Sequence, residues 1–451
     1  MQVAPLIVVG ITLVLMILSI VFDWKITIKK FSLACYWMIC LVGAIICLAF
    51  GFAGQNPVQD IFLNDSTINP LKILIIFISC TSISVLLDKI GFFSYIAAII
   101  LNKFKSSQTK LFFSFAAVIG ILTIFTSNDI LILTFTPFIC YFTKRAKIDP
   151  IPFIVSEFVC ANVWSMFFFI DNPTNIYMCQ AINPPIEFLP YAAQMAIPTA
   201  ICGVFATFLT YFIFRKKLSQ PVNIDEVEIV QPDKTMLTIG LVGLSVMVVL
   251  MAASNYIKLG GFELELWYIP LVCSVATYLA VAISLLFRKE YRKTGFKVMW
   301  ESAKNLPYAL IPFLLSMSVF VFSLINAGFI DVVANFLAEK TIYLTGFIAF
   351  FAGNLLNNIP MSMMFTGVLT NSAFQSANAH LYTDVYAVVA ASNITALLTP
   401  IGSLAGIMFM KILKQNEVKF TFLEFVKYGA IISIPTMVIA LTLLNFVPII
   451  I

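Results

Sequence analysis

The chain has 451 residues, 61% of them hydrophobic and only 11% charged, with a mean hydropathy of +1.00. No water-soluble fold of this size hides so much apolar surface, and the net charge of +5 lacks the aromatic or helical context of a nucleic-acid interface. The apolar residues come in runs of roughly 18 or more without the alternation of a barrel strand, so they read as transmembrane helices surrounded by membrane lipid.

In chain order, ordinary spans are predicted at 4–22, 33–52, 70–87, 192–214, 236–254, 267–287, 306–327 and 424–449. The first reads as a retained span rather than a signal peptide, because no basic residue precedes it and no small-residue cleavage site follows before Asp23. Two denser regions lie between these spans. In the first, an apolar stretch from 111 is interrupted by Thr126, Ser127, Asn128 and Asp129, and resumes to about 143. A long span from about 151 then runs past Glu157 and Asn162 to a polar break at Asp171, Asn172, Pro173, Thr174 and Asn175. In the second, a stretch from 342 is interrupted by Asn354, Asn357, Asn358 and Pro360 and ends near 370. A long span over about 385–411 is broken around Asn393, Thr395, Thr399, Pro400, Gly402 and Ser403.

The arms around each first interruption read as about 15 residues at most, against the 20 or so needed to cross, which predicts re-entrant hairpins whose tips stop inside the membrane. The predicted fold is therefore an all-α polytopic membrane protein with about 10 to 11 spans plus two hairpins. Residues 1–214 form one repeat, 215–235 a cytoplasmic linker and 236–451 the second repeat.

Basic residues orient this arrangement. Clusters around Lys29, Lys105, Lys144, Lys216, Arg292 and Lys414 hold most of the 27 Lys and Arg, and all fall on one side if the amino terminus is outside. Loops 53–69 and 371–384, on the opposite side, contain neither Lys nor Arg. The expectation is a multi-pass protein of the cell inner membrane with both termini outside and the two hairpins opening to opposite faces. Asn128 precedes Asn162 by 34 residues and Asn358 precedes Asn393 by 35, so the two dense regions repeat one another. An inverted-topology repeat of this kind suits alternating access.

A break rich in Asn and Pro persists at membrane depth only where protein or water satisfies its backbone, and its freed helix ends then face a site. Oxygens of Ser127, Asn128, Asn175, Asn358 and Thr399 are hard neutral ligands suited to Na⁺, and Asp129 adds a charge that could couple transport to Na⁺ or H⁺. The blander alternatives are that Asp129 caps a helix near the surface and that 171–175 is the outer end of an ordinary span. Glu157 is placed close to the inner surface in a surface or pairing role. The nine cysteines are scattered singly and His380 is the only histidine, which argues against a disulfide framework, a structural metal or another cofactor. No Walker motif and no nucleophile pair is present, so secondary transport is favoured over an ATPase, an enzyme or a passive channel.

The strings TSNDILILTFTP from Thr126, DNPTN from Asp171, AGNLLNNIPM from Ala352 and SNITALLTPIGSLAG from Ser392 resemble the ion transporter superfamily, and within it the arsenite permease and NhaD-type sodium/proton antiporter branch. The resemblance implies two inverted repeats, each with a hairpin and a broken helix, in a protein that often works as a homodimer. It implies a small inorganic solute, with an auxiliary ATPase as partner if the protein is arsenite-like. Relatives that carry dicarboxylates have Ser-Asn-Thr at both tips. Here Ser127-Asn128-Asp129 and Asn357-Asn358-Ile359 stand instead, which leaves arsenite or antimonite, Na⁺/H⁺ exchange or another small anion.

Overall fold

A computed structural model describes residues 2–22, 24–28, 31–63, 69–220, 222, 228–254, 265–377 and 381–447. His380, part of the 215–235 linker and parts of the loops at 53–69, 255–266 and 371–384 lie outside the described residues.

The helices, in order, are α1 (Val3–Val21), α2 (Tyr36–Ala49), α3 (Pro70–Ile90), α4 (Phe92–Lys103), α5 (Gln108–Phe125), α6 (Asn128–Ala146), α7 (Ile151–Trp164), α8 (Pro173–Ala181), α9 (Phe188–Leu218) and α10 (Lys234–Ala253). They continue with α11 (Tyr268–Phe287), α12 (Lys289–Lys304), α13 (Leu310–Asn326), α14 (Phe329–Leu337), α15 (Ile342–Leu356), α16 (Asn358–Leu369), α17 (Ser372–Ala377), α18 (Leu381–Ile394), α19 (Leu404–Gln415) and α20 (Phe422–Phe446). A two-stranded antiparallel hairpin, β1 (Lys25–Ile28) and β2 (Phe31–Ala34), follows α1, with Lys25 opposite Ala34.

Among the described residues, α1, α3, α5, α9, α10, α11 and α20 are long and apolar enough to cross a membrane, and an eighth span results if α13 and α14, bent by 79°, are taken together. The chain is thus a polytopic helical membrane protein. Helices occupy all eight predicted spans. The second is shorter than expected because residues 31–34 pair in β2, leaving α2 only 14 residues. The span predicted at 306–327 ends where Gly328 adopts φ 76°, and the helix α14 that follows lies in a stretch expected to be loop.

Local chemistry explains the helix ends. Asn69 accepts from the Leu71 and Lys72 N–H groups, Pro70 sits where its missing N–H costs nothing, and Gly91 at φ 95° closes α3. At α20, Thr421 and Glu424 cap each other's backbone reciprocally.

The layers follow from what lipid tolerates. The long peripheral helices turn apolar stripes outward, such as Ile7, Ile11 and Val14 of α1 and Ile197, Ile201 and Val204 of α9. The interrupted segments lie inside: every residue from Thr383 to Leu397 is buried, as is nearly all of α7 and α8. Irregular backbone at membrane depth is thereby enclosed by protein.

The loop ends of α10 and α11 are tied by a bidentate pair in which Arg288 donates to both carboxylate oxygens of Asp233 at 2.8 Å. Asp233 also caps Met236, and the guanidinium holds its carboxyl below the usual carboxylate range. Stability from this pair is present above the ordinary carboxylate pKa and lost as pH falls through the lower folded value. Asp233→Asn keeps the cap but loses the charge, so it should cost about 1 kcal/mol at neutral pH. The gap from wild type should close in acid, as read from thermal unfolding in detergent across pH.

Candidate functional site

The sequence-predicted breaks all appear, with shifted edges. The first tip is two residues, Thr126 and Ser127, between α5 and α6. These arms have 18 and 19 residues, longer than expected, and of the two α5 alone is both long and apolar enough for a span. The second tip is Asn357 alone, between arms of 15 and 12 residues. The break after α7 covers 165–172 rather than 171–175: Pro173 begins α8, and Thr174 and Asn175 belong to its first turn. A proline at that position needs no backbone partner, so the break falls before it. The break after α18 covers 395–403 and contains two 3₁₀ turns.

Four helices begin at these breaks, namely α6, α8, α16 and α19. Three have matching caps: Asn172 accepts from the Thr174 N–H, Asn357 from Ile359 and Ser403 from Gly406. Helix amino ends carry partial positive charge and spare N–H groups. Asn357 holds φ 77° and ψ 151°, a backbone conformation that a side chain strongly disfavours. Two bonds fix it, one from its Nδ2 to the Ile401 carbonyl at 2.9 Å and the cap to Ile359.

The broken segments meet at Ser392 and Asn393. Asn393 Nδ2 donates to Asn175 Oδ1 at 2.8 Å and to the Val389 carbonyl at 2.8 Å, while its Oδ1 accepts from Ser165 Oγ at 2.7 Å and Asn172 Nδ2 at 3.1 Å. Asn175 Nδ2 donates to the Ser165 carbonyl at 3.0 Å, and Thr174 Oγ1 lies 3.2 Å from Ser392 Oγ. Asn358 reaches the same place from α16, its Nδ2 donating to the Ser392 carbonyl at 3.4 Å. The amino ends of α8 and α16 therefore converge on one point of α18.

Asn128 and Asn358, each the first residue after a tip, pair with the helix that holds the second asparagine of their repeat. Asn128 Nδ2 donates to Asn162 Oδ1 at 3.3 Å, as Asn358 does to Ser392 next to Asn393. Asn162 and Asn393 also make the same bond to the carbonyl one turn back, Phe158 and Val389 respectively.

A second cluster braces the later break. Asn354 donates to Thr395 Oγ1 at 2.6 Å and accepts from Thr399 Oγ1 at 2.8 Å, and Thr395 donates to the Phe350 carbonyl. Gly402 packs where a methyl group would meet the Thr395 carbonyl oxygen. Thr126 bonds back to the Leu122 carbonyl, and the Ser127 side chain makes no capping bond. Thr399 thus bonds within the brace, Asn175 and Asn358 bond at the Ser392–Asn393 junction, and Asn128 bonds to Asn162 on α7.

Several buried oxygens lack partners among the described residues. Asn358 Oδ1, Asp171 Oδ2 and Ser362 Oγ are the relevant ones. Asp171 is 2% exposed at the end of a 3₁₀ turn. Asp129 is half-buried at the start of α6, with its backbone N–H bound to Asn128 Oδ1. A buried acceptor without a donor is a place where a bound solute or ion finds its bond.

Glu157 departs from expectation. It is fully buried, not near the surface, with both oxygens 2.8 and 2.9 Å from Thr136 Oγ1. Ser165 and Ser392 were missed as members of the junction. Ser392 had a signal in the Ser-Asn pair it forms with Asn393, matching Ser127-Asn128.

A cavity of about 800 Å³ opens at the basic end of the molecule. Its walls include Lys411, Lys414 and Lys419, and it touches Pro400 and Ile401. Because Ile401 accepts from Asn357, this cavity adjoins the second tip.

The citrate transporter family, CitMHS, matches residues 24–387. An arsenical pump membrane protein of Escherichia coli strain K12 is 26% identical over 386 residues, covering 82% of this chain and 84% of the relative. An arsenical pump membrane protein of Yersinia enterocolitica is 26% identical over 389 residues with the same coverage. Among solved structures, the YdaH transporter of Alcanivorax borkumensis matches with a TM-score of 0.58 over 99% of each chain at 12% identity, a likeness of fold.

Proposed function

The chain belongs to the CitMHS citrate transporter family and is a secondary transporter of a small ion or oxyanion; from that premise we propose that it carries an uncharged or singly charged oxyacid of the arsenite or antimonite kind through the Ser392–Asn393 junction. The observation that carries this reading is Asn358 Oδ1, a buried acceptor without a donor among the described residues, at the first residue of α16. A protonated oxyacid offers an O–H to that oxygen and lone pairs to the N–H groups of the converging helix ends.

Citrate fits less well. The groups bonded at the junction are amides, hydroxyls and backbone, and a trianion would need fixed positive side chains there. The names of the arsenical-pump relatives favour the smaller solute.

Two halves, 1–214 and 236–451 joined through 215–235, are proposed to be inverted repeats that expose the junction to each side in turn. The paired tips, the paired 14-residue helices α7 and α18 and the side-chain caps on the helices that follow them, α8 and α19, support this. Asn128, Asn162, Asn172, Thr174, Asn175, Asn358 and Asn393 form the solute site on this reading, braced by Asn354, Thr395, Thr399, Gly402 and Ser403. Thr126, Ser127, Asp129 and Asp171 border it, and H⁺ or Na⁺ is the coupling ion, with no other cofactor. The basic 800 Å³ cavity is the inner access route. The protein sits in the inner membrane as a homodimer with both termini outside, and an auxiliary ATPase is a further partner.

The test is flux in sealed proteoliposomes under imposed pH and Na⁺ gradients. Saturable, gradient-dependent movement of arsenite or antimonite is expected, uninhibited by excess citrate. Citrate flux without arsenite flux would reject the substrate reading.

A further inference from the structure

Glu157 is a carboxyl group with no described cationic partner, set between the junction and the basic end of the molecule. Its two oxygens face a single hydroxyl, Thr136 Oγ1 on α6. Along α7 it lies about 7.5 Å in rise from Asn162 on one side and about 9 Å from Ile151 on the other. Ile151 lines a second cavity of about 350 Å³, together with Cys140, Thr143, Lys144 and Asp149. Cys140 stands one turn beyond Thr136 on α6, so the Thr136–Glu157 pair lies one helical turn deeper than the cavity wall. That cavity has room for several waters.

We propose that Glu157, held by Thr136, is a proton-carrying site that exchanges protons between this inner cavity and the central junction. The proposal rests on the reading of the chain as a gradient-coupled transporter, and it deepens that reading by assigning the inner half of the proton route. A carboxyl enclosed at membrane depth without a fixed cation is neutralised by a proton or by an arriving ion, which is the behaviour a relay needs. The step is a simple transfer: a carboxylate oxygen takes a proton from cavity water and later releases it to water or solute at the junction, with no other bond made or broken.

The neighbours leave this role open. The nearest titratable groups are the thiols of Cys140 on α6 and Cys160 on α7. The charges at the inner ends of the packed helices are committed elsewhere: Lys144 to Glu417, Lys217 of α9 to Asp149, and Glu424 of α20 to Thr421. Arg145 donates to Tyr141. Lys110 of α5, Arg215 and Lys216 of α9 and Lys427 of α20 are exposed. On α18 the sole carboxylate is Asp384, in its first turn and far along the helix from the residues that meet α7.

Glu157→Gln keeps the acceptor for Thr136 and the side-chain volume, so a purely structural role predicts wild-type behaviour. In proteoliposomes, this variant is expected to lose about tenfold or more of proton-gradient-driven arsenite accumulation, with a smaller loss in arsenite counterflow, which moves no net protons. The infrared difference spectrum between acidic and alkaline pH, which requires no solute, should contain a protonated-carboxyl carbonyl band that Glu157→Gln lacks. Identical infrared spectra, or undiminished proton-driven accumulation, would overturn the proposal. If Glu157→Gln is not recovered folded, Thr136→Val should shift the pH at which accumulation is half-maximal, and an unchanged pH profile would overturn it equally. Absence of arsenite flux in the wild type alongside a band that depends on Glu157 would reject the substrate and keep the proton site.

Discussion

Asn393→Ala is expected to lower transport by about a hundredfold or more while leaving the amount of folded protein in the membrane close to wild type. Its side chain ties its own helix, bonded at Val389, to a distant stretch of chain, the 165–172 break through Ser165 and Asn172 and the first turn of α8 through Asn175. Truncation strands several buried polar partners, each costing about 1–3 kcal/mol. Each 1.4 kcal/mol or so is tenfold in an equilibrium, so two such losses suffice to misplace the junction in nearly all molecules. The fold should survive because α18 is enclosed by apolar packing along its whole buried length. Transport per mole of protein, with gel filtration in detergent as the folding control, decides it. Near-normal flux at normal abundance would place the solute path elsewhere.

Gly402→Ala should be nearly as damaging, for a steric reason. An added methyl carbon would stand 2.5 Å from the Thr395 carbonyl oxygen and 3.1 Å from Asn354 Oδ1. The first of these is backbone, so it cannot swing aside, and overpacking of this kind costs about 1–3 kcal/mol. The displaced groups belong to the brace that joins Asn354, Thr395 and Thr399, so flux should fall about tenfold and the thermal midpoint should drop. Gly10 on α1 is the control, with nothing within 4 Å of an added methyl. Gly10→Ala should leave flux unchanged and stability equal or slightly raised. Equal effects at the two positions would mean that the brace is not needed for transport.

How much of this was legible in the sequence depended on whether the signal was a contrast or a contact. Thr126 to Asp129, Asp171 to Asn175, Asn357 with Asn358, and the Asn, Thr and Ser residues between Asn393 and Ser403 put polar groups inside apolar runs, and that contrast marked four breaks, the second of them a few residues late. The 34-residue spacing of Asn128 and Asn162 became a hydrogen bond. Edges were less legible, because Pro173 suits both a break and a first helical turn, and only the second is realised. The helix α14 was not legible, because its nine residues follow a predicted span end just before Gly328 and are too few to register as a span. Glu157 read as a surface residue because its distance along the chain from the basic end says nothing of what packs over it. Ser165 contributes through α18, 228 residues away, a contact no local pattern encodes.

The central claim is that solute binds where α8 and α16 converge on Ser392 and Asn393. Crystals of the protein grown with arsenite, measured at the arsenic absorption edge, test it most directly. The account predicts one anomalous peak within hydrogen-bonding reach of Asn358 Oδ1, lost in Asn358→Ala. A peak on cysteine sulfur alone, or one that Asn358→Ala leaves unchanged, would contradict it.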